Sequence, residues 1–466
     1  MCKLGFYRYL CCVLKDWFMA YYRNIEQKLM AWKVSSYRKP LVLRGARQVG
    51  KTTVVDEFAG NFSQYIKLNL ETEDRHFFEE QNNIDRLVDM LFFEKDCLKE
   101  DSDTLIFIDE IQEVPAALNM LRYFYEKYPQ YYVIAAGSLL ESLFERGISF
   151  PVGRVEYIYM YPFTFEEFLE AMGERNALKA YRTIPIPEYA EEKLLLLFHT
   201  YTLIGGMPEA VSRYVQTKDI VQLKPIYDTL FLSYLDDVEK YARNENMIQV
   251  LRHVIRASFL EAGERIKFAG FGQSAYTSRE VGEAMRTLEK ALLLHLTYPT
   301  TQTTLPFQPD IKKSPRLQVL DVGMLNFFSN IQREIFTATD LNNLYKGRVS
   351  EQVVGQEIIA TTDNYMHPLL FWVREKGTSN SELDFLVQTP YGMIPVEVKS
   401  GAKGHLKSLL IYQDLAKSPL AVRLYSGRFF MEKVVTPAGF EFTLMNLPYS
   451  LTGKLQEYVL YFFQAL

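Results

Sequence analysis

Glycines at 45 and 50 followed by Lys51 and Thr52 have the spacing of a loop built to hold phosphate. In Gly45-Ala46-Arg47-Gln48-Val49-Gly50-Lys51-Thr52 the glycines let backbone N–H groups turn inward around an anion. The helix that starts near Lys51, and carries Thr53 in its first turn, aims its positive end at the same point. Lys51 would reach the β- and γ-phosphates of a nucleoside triphosphate, and the Thr52 hydroxyl would ligate Mg²⁺. ATP and Mg²⁺ are the cofactors this loop implies.

A second pattern adds hydrolysis. Thr104-Leu105-Ile106-Phe107-Ile108 is a continuous apolar run that delivers Asp109 and Glu110 at the tip of a buried strand. Asp109 would hold the Mg²⁺ through water, and Glu110 would polarise the attacking water as general base. Gln112 is a further candidate for positioning that water. Ser138 follows the strand Tyr132–Ala136 and Gly137; it either contacts the γ-phosphate or water, or caps the helix beginning at Leu139. Arg154 either stabilises the transferring phosphoryl group, in cis or across a subunit boundary, or is a surface arginine held by an ion pair.

A third constellation lies near the C-terminus. Glu382–Gln388 and Met393–Ser400 read as strands around the turn Thr389-Pro390-Tyr391-Gly392. A hairpin centred between Pro390 and Tyr391 sets Phe385 against Val396, Leu383 against Val398 and Val387 against Ile394, all on one face. The same register opposes Asp384 and Glu397 on the other face, with Lys399 beside them. Opposed carboxylates call for a cation, and Mg²⁺ there beside an ammonium is machinery for attacking a phosphodiester with activated water. Glu351, on a helix expected over Gly347–Ile359, adds a third acid. The plainer alternative is a half-exposed hairpin on which Glu397 and Lys399 pair with each other.

The elements needed to position these groups are legible as an α/β pattern. Residues 19–170 alternate short apolar strands with helices, as a parallel sheet with crossover helices requires. Residues 171–245 read as helices around the turn Gly205-Gly206-Met207-Pro208, an expected lid over the nucleotide. In residues 246–315 a helix over Met247–Leu260 precedes one capped by Thr277-Ser278, with Val281, Met285, Leu288 and Leu292 on one face. A strand over Leu292–Thr297 completes the plan of a winged helix-turn-helix presenting Arg279, Glu283 and Arg286. The same plan also suits a small packing domain that touches only protein.

Composition narrows the class. The chain has 466 residues, 48% hydrophobic and 23% charged, ordinary for a globular protein of roughly two to four domains. Cys2, Cys11, Cys12 and Cys97 show no metal or disulfide spacing, so a reducing, cytoplasmic setting is expected. No stretch is long and uncharged enough to span a bilayer, so no membrane partner is expected. Residues 1–18 are oily but interrupted by charge; Met19 reads as an alternative start and 1–18 as an extension. The net charge of −5 removes any global attraction to nucleic acid. Asn246–Pro315, with nine Lys/Arg against six Asp/Glu, leaves room for a local patch.

With these residues in view, the chain resembles a widespread prokaryotic family of AAA-type P-loop ATPases that joins an ATPase core and winged helix to a restriction-endonuclease-like C-terminal domain. The resemblance rests on Leu43–Thr52, Asp109-Glu110-Ile111-Gln112, Ala136-Gly137-Ser138 and Pro151-Val152-Gly153-Arg154. It continues through Gly205–Glu209 to Asp384-Phe385 and Pro395–Ser400. It implies ATP binding and hydrolysis, and a nuclease-like domain over 316–466 with the PD-(D/E)XK pattern at Asp384, Glu397 and Lys399 and the helical acid at Glu351. The expectation is a Mg²⁺-dependent ATPase whose nucleotide state repositions its other domains and which acts on DNA. The rival expectation is an ATP-binding switch or scaffold for a protein partner, with the nuclease-like platform inactive.

Overall fold

The computed structural model describes residues 21–79, 83–138, 153–332, 347–362, 369–376, 379–399 and 406–465. The expected extension 1–18, the helix from Leu139, the dipeptide Pro151-Val152, and Ser400 lie outside them. The chain divides into two compact units, one over residues 1–161 with 290–292 and one made of the rest.

The first unit is a five-stranded parallel sheet. Its strands are β1 (Leu41–Gly45), β2 (Gln64–Asn69), β3 (Thr104–Asp109), β4 (Tyr132–Gly137) and β5 (Glu156–Met160). Their order is β2-β3-β4-β1-β5, and every neighbouring pair runs parallel. Such sheets bury both faces, which is why β1 and β3 are buried at every residue and carry the apolar runs Leu41–Leu43 and Leu105–Ile108. The helices α1 (Ile25–Val34), α2 (Lys51–Phe58), α3 (Ile84–Glu94) and α4 (Pro115–Lys127) belong to the same unit. Asn83 caps α3 by accepting from the Asp85 amide, and Pro115 starts α4, where its missing N–H costs nothing. Leu87, Leu91, Leu118, Leu121 and Phe124 from these two helices close over Ile106 and Ile108 of β3.

The second unit opens with helices α5 (Phe165–Ala171), α6 (Arg175–Tyr181), α7 (Glu191–Ile204), α8 (Pro208–Thr217), α9 (Lys224–Tyr241), α10 (Glu245–Glu261) and α11 (Ser278–Lys290). Thr164 and Glu167 form a reciprocal capping box at the start of α5. At α11 the expected cap is present: Thr277 Oγ1 accepts from the Glu280 amide at 3.3 Å. Val281, Met285 and Leu288 are buried as the spacing required. Leu292 does not extend that face, because the helix ends at Lys290 and Leu292 turns left-handed at φ 59°.

An eight-stranded mixed sheet completes this unit. Its strands are β6 (Leu294–Thr300), β7 (Arg316–Val319), β8 (Leu370–Lys376), β9 (Ser379–Thr389), β10 (Gly392–Val398), β11 (Leu420–Tyr425), β12 (Phe430–Val435) and β13 (Glu441–Pro448). The order β12-β13-β11-β10-β9-β8-β6-β7 carries one sheet across residue 315. The strand expected as part of a wing therefore pairs in parallel with β8 of the C-terminal region. Helices α12 (Val322–Phe328), α13 (Arg348–Thr361), α14 (Lys407–Ala416) and α15 (Leu455–Gln464) complete the unit. β7 is an edge strand, and α13 blunts it: Gln352 donates to the Val319 carbonyl at 2.7 Å and accepts from its amide at 3.1 Å. Gly355 permits the approach, since a Cβ there would fall 1.9 Å from Gln318 Nε2.

The β9–β10 hairpin has the expected register from Gly392 with Thr389 to Val396 with Phe385, including Ile394 with Val387, while the expected pairs Leu383–Val398 and Asp384–Glu397 lie beyond its last pair. The alternation on β9 does not continue past Phe385. Leu370 pairs with Leu386 but Trp372 with Leu383, so two residues of β9, Asp384 and Phe385, stand opposite Phe371 alone. This bulge puts Leu383 in one core with Leu386, Trp372, Leu409 and Tyr412, rather than on the face of Phe385 and Val387.

The Gly205-Gly206 turn is required by contact as well as by chain direction. A Cβ on Gly206 would lie 2.2 Å from the Phe163 carbonyl oxygen, and the Gly206 amide donates to buried Asp321 at 2.6 Å. Gly206→Ala is expected to lower unfolding stability by about 1–3 kcal/mol, the usual cost of overpacking. Urea denaturation checks this, and an unchanged midpoint would show that the turn relaxes freely.

Candidate functional site

Two clusters of chemically competent side chains emerge, one in each unit. In the first, β1 delivers Gly45 and α2 begins at Lys51, with residues 46–50 as the connecting loop. Gly45 accepts no side chain, since a Cβ would sit 2.6 Å from the Met160 carbonyl oxygen. Gln48 and Gly50 are left-handed, at φ 65° and 96°. Alternation of left- and right-handed residues turns successive N–H groups toward one concavity, a natural anion nest. Ala46 and Val49 are buried, Arg47 is half-buried, and Gln48 and Thr53 are exposed.

Lys51 Nζ donates to the carbonyls of Gly45 and Ala46 at 3.0 and 2.8 Å. Burial pulls its pKa down to about 8, against the opposing pull of Glu110 and Asp109. Thr52 Oγ1 donates to Asp109 Oδ2 at 2.7 Å. Asp109 ends β3, and Glu110 leaves it in a left-handed turn at φ 52°. The Glu110 amide donates back to Asp109 Oδ1 at 3.1 Å, and Gln112 Nε2 donates to Glu110 Oε2 at 2.5 Å. Burial raises the pKa of both carboxyls; Thr52 opposes the rise at Asp109, and Gln112 opposes it at Glu110. A hydroxyl and a carboxylate meeting at one point, with oxygen donors only, suit a hard cation such as Mg²⁺.

Ser138 follows β4, which pairs Gly137 with Arg44, so it stands beside Gly45 at the phosphate-loop end of the sheet. Arg154 stands elsewhere. It precedes β5, whose first residue pairs with Leu41 at the far end of β1. There it is exposed and faces Glu126 Oε1 at 3.4 Å. Five strand residues, about 16 Å, separate that end from the loop, so the in-cis alternative for Arg154 fails on distance. Sequence reasoning missed Arg23. Its guanidinium donates to the Val49 carbonyl at 2.9 Å and to the Tyr161 carbonyl at 2.6 Å, tying the loop to the end of β5. No local spacing signals such a long-range brace.

The second cluster gathers Glu351 from α13, Asp384 and Glu382 from β9, Glu397 from β10, and Lys399 just beyond β10. Lys399 Nζ lies 2.7 Å from Glu397 Oε1, so the pairing alternative is present. The bulge turns Asp384 Oδ2 onto the Val398 amide at 2.8 Å. The cation shared by the other acids is Arg316, at the start of β7, and Arg265 Nη1 also lies 3.6 Å from Glu382 Oε2. Arg316 Nη1 lies 3.1 Å from Glu351 Oε2, its Nη2 3.3 Å from Asp384 Oδ1, and its Nε 2.8 Å from Glu382 Oε1. Burial works against the charge on Arg316, but Glu351, Asp384 and Glu382 outweigh it and hold the pKa above its ordinary value. Glu351 and Glu397 are pushed up, first by burial and, among their neighbours, by Asp384. Among the described residues no group of three His, Cys, Asp or Glu is arranged to hold a metal ion. As they stand, these acids surround a planar guanidinium and do not fit the expected Mg²⁺. Arg316 and Glu382 carried no sequence signal, because the bulge and the β6–β7 pairing bring them in.

Sheet order and loop geometry define the first unit as a P-loop core of the AAA type. Residues 37–169 match a family described as an AAA domain. Residues 195–334 and 346–437 match two domains of unknown function, DUF8612 and DUF4143. Among solved structures, the chain is similar to the Walker-type ATPase paby2304 of Pyrococcus abyssi, with 15% identity and a TM-score of 0.42 over 66% of this chain and 96% of that one. It is also similar to the Thermotoga maritima RuvB Holliday junction branch migration motor, with 16% identity and a TM-score of 0.26 over 59% and 89%. No curated relative matches the chain. The AAA-domain match, not these distant likenesses, carries the assignment. Among the described residues no helix is long and apolar enough to cross a membrane.

Arg23→Ala is expected to weaken ATP affinity by roughly tenfold, the worth of one charge-assisted hydrogen bond. Calorimetric titration reads this directly, and unchanged affinity would remove the brace from the account.

Proposed function

We propose that this chain is a Mg²⁺-dependent ATPase that binds ATP along Gly45–Thr53 and hydrolyses it, the nucleotide cycle driving conformational change in the rest of the protein. The Thr52–Asp109 contact of 2.7 Å carries the reading. It joins the phosphate loop to the tip of β3 at the point where both would share one metal, the hydroxyl directly and the carboxylate through water. Mg²⁺, once bound, would neutralise charge on the β- and γ-phosphate oxygens. Lys51 would exchange its loop carbonyls for phosphate oxygens. Glu110, made more basic by burial and held by Gln112, would take the proton of the attacking water. Ser138 would orient that water or the γ-phosphate. Arg154, exposed and remote from its own loop, would serve a neighbouring subunit's nucleotide.

Lys51→Ala is expected to abolish turnover. Glu110→Gln should keep ATP binding and lower turnover by about a hundredfold or more; wild-type turnover in either variant would defeat the mechanism. The pH dependence has a definite sign. A lysine held near 8 instead of 10.5 costs the nucleotide-free fold stability below about pH 8, and that cost is relieved as pH rises toward 10.5. A triphosphate restores the proton, so ATP binding between pH 8 and 10.5 should take up one proton that it does not take up below. Calorimetry in buffers of differing ionisation enthalpy measures it; no uptake in that window would contradict the buried-lysine account.

The target of this cycle is read in two ways. Action on DNA is supported by exposed Arg279 and Arg286 on α11, with Glu283 taken by Arg243 at 3.0 Å. It entails ATP turnover that DNA stimulates and that salt suppresses. A switch acting on a protein partner is favoured by the guanidinium among the C-terminal acids, an arrangement suited to an inactive platform. Turnover indifferent to duplex and single strands at low salt would decide for the switch.

A further inference from the structure

We propose that the C-terminal carboxylate cluster is a latent divalent-cation site kept closed by Arg316, whose guanidinium fills the space between Glu351, Glu382 and Asp384 as a built-in counter-cation. This goes beyond the reading of the nucleotide core and does not depend on it.

Three observations carry the inference. The first is occupancy: one side chain reaches Glu351, Glu382 and Asp384 together, and Nη1 also lies 3.3 Å from the Asp384 carbonyl oxygen. Oxygens spread around a planar fork at hydrogen-bond distances do not form the compact shell, at roughly 2.0–2.6 Å, that Mg²⁺ or Ca²⁺ demands. The second is permanence. Arginine does not deprotonate in proteins, so no accessible pH empties the site, and only displacement of the side chain can open it. Displacement is resisted by the surroundings: the guanidinium also packs 4.9 Å from the Phe371 ring centroid, and Gln352 clamps the end of β7. The third is a spare ligand. Glu397 gives one oxygen to Lys399, while its Oε2 is buried without a hydrogen-bond partner among the described residues. Buried carboxylate oxygens are normally satisfied. An orphaned one beside Asp384 points to a ligand that arrives only when the arginine leaves.

The chemistry follows from the donors. Carboxylate oxygens select hard divalent ions, and Mn²⁺ is the convenient spectroscopic probe for them. With Arg316 in place the acids are neutralised internally, so a divalent ion would meet a fixed positive charge at van der Waals distance. With Arg316 replaced by an uncharged side chain of similar length, Glu351 and Asp384 would lose their cation and Glu397 would keep only Lys399, leaving an excess of acid in need of a cation.

The test is Mn²⁺ titration of the nucleotide-free full chain, followed by electron paramagnetic resonance. Wild type and Asp384→Asn should bind Mn²⁺ identically, because the cluster is closed in both. Arg316→Met should gain one Mn²⁺ site, and Arg316→Met with Asp384→Asn should lose it again. Arg316→Met should also melt lower in chelator and recover on adding Mn²⁺. If wild type binds Mn²⁺ in a way that Asp384→Asn abolishes, the site is open and the proposal is overturned. A folded Arg316→Met protein that gains no site overturns it equally. The comparison of wild type with Asp384→Asn needs no Arg316 variant, so a variant that fails to fold leaves the proposal exposed to refutation.

Discussion

The hydrogen bond from Thr52 to Asp109 spans 57 positions of sequence at 2.7 Å, and it forms only because β1 and β3 run parallel with β4 between them. Each strand contributes an end to the same edge of the sheet, so the loop after β1 and the acids after β3 emerge side by side. Parallel pairing in turn requires crossover helices on both faces, and therefore the apolar strands that Leu41–Leu43 and Leu105–Ile108 supply. Shift one strand by a residue and the hydroxyl and carboxylate no longer meet. Core packing and the chemistry of the nucleotide site are thus one constraint.

The two polar clusters solve the same electrostatic problem in opposite ways. Around Lys51 a buried cation is held by carbonyls and lies near two carboxyls whose protons burial makes harder to lose. Its hydrogen bonds go to backbone carbonyls rather than to a carboxylate, so it can turn to an incoming phosphate without leaving a partner charge behind. Around Arg316 a buried cation is outnumbered by carboxylates. That site already contains its counter-ion, and its surplus lies in protons and in one orphaned oxygen of Glu397.

Much of this was legible in the sequence where the chemistry is contiguous. The phosphate loop is a single run of residues, and Asp109-Glu110 follows its own strand directly. The hairpin register follows from the turn, and every pair of β9 with β10 obeys it. What the sequence does not display is whatever depends on strands that meet from afar. The bulge at Asp384 arises from pairing with β8, so a period-two reading of β9 misplaces Leu383. Arg316 reaches the acids because β6 pairs with β8 and draws β7 into the C-terminal sheet. Arg23 braces Val49 across the connection from α1 to the loop. Arg154 reads like a ligand for its own loop's phosphates until the sheet shows which end of β1 it stands at.

The central claim is that Thr52 and Asp109 together build the metal-dependent half of the nucleotide site. ATP affinity measured with Mg²⁺ and then with excess chelator, for wild type and for Asp109→Asn, tests it most directly. The account predicts that wild-type affinity drops at least tenfold when Mg²⁺ is withdrawn, while Asp109→Asn binds with the weak affinity of the metal-free state in both conditions. Wild-type affinity indifferent to Mg²⁺, or no ATP binding with the metal in excess, would contradict it.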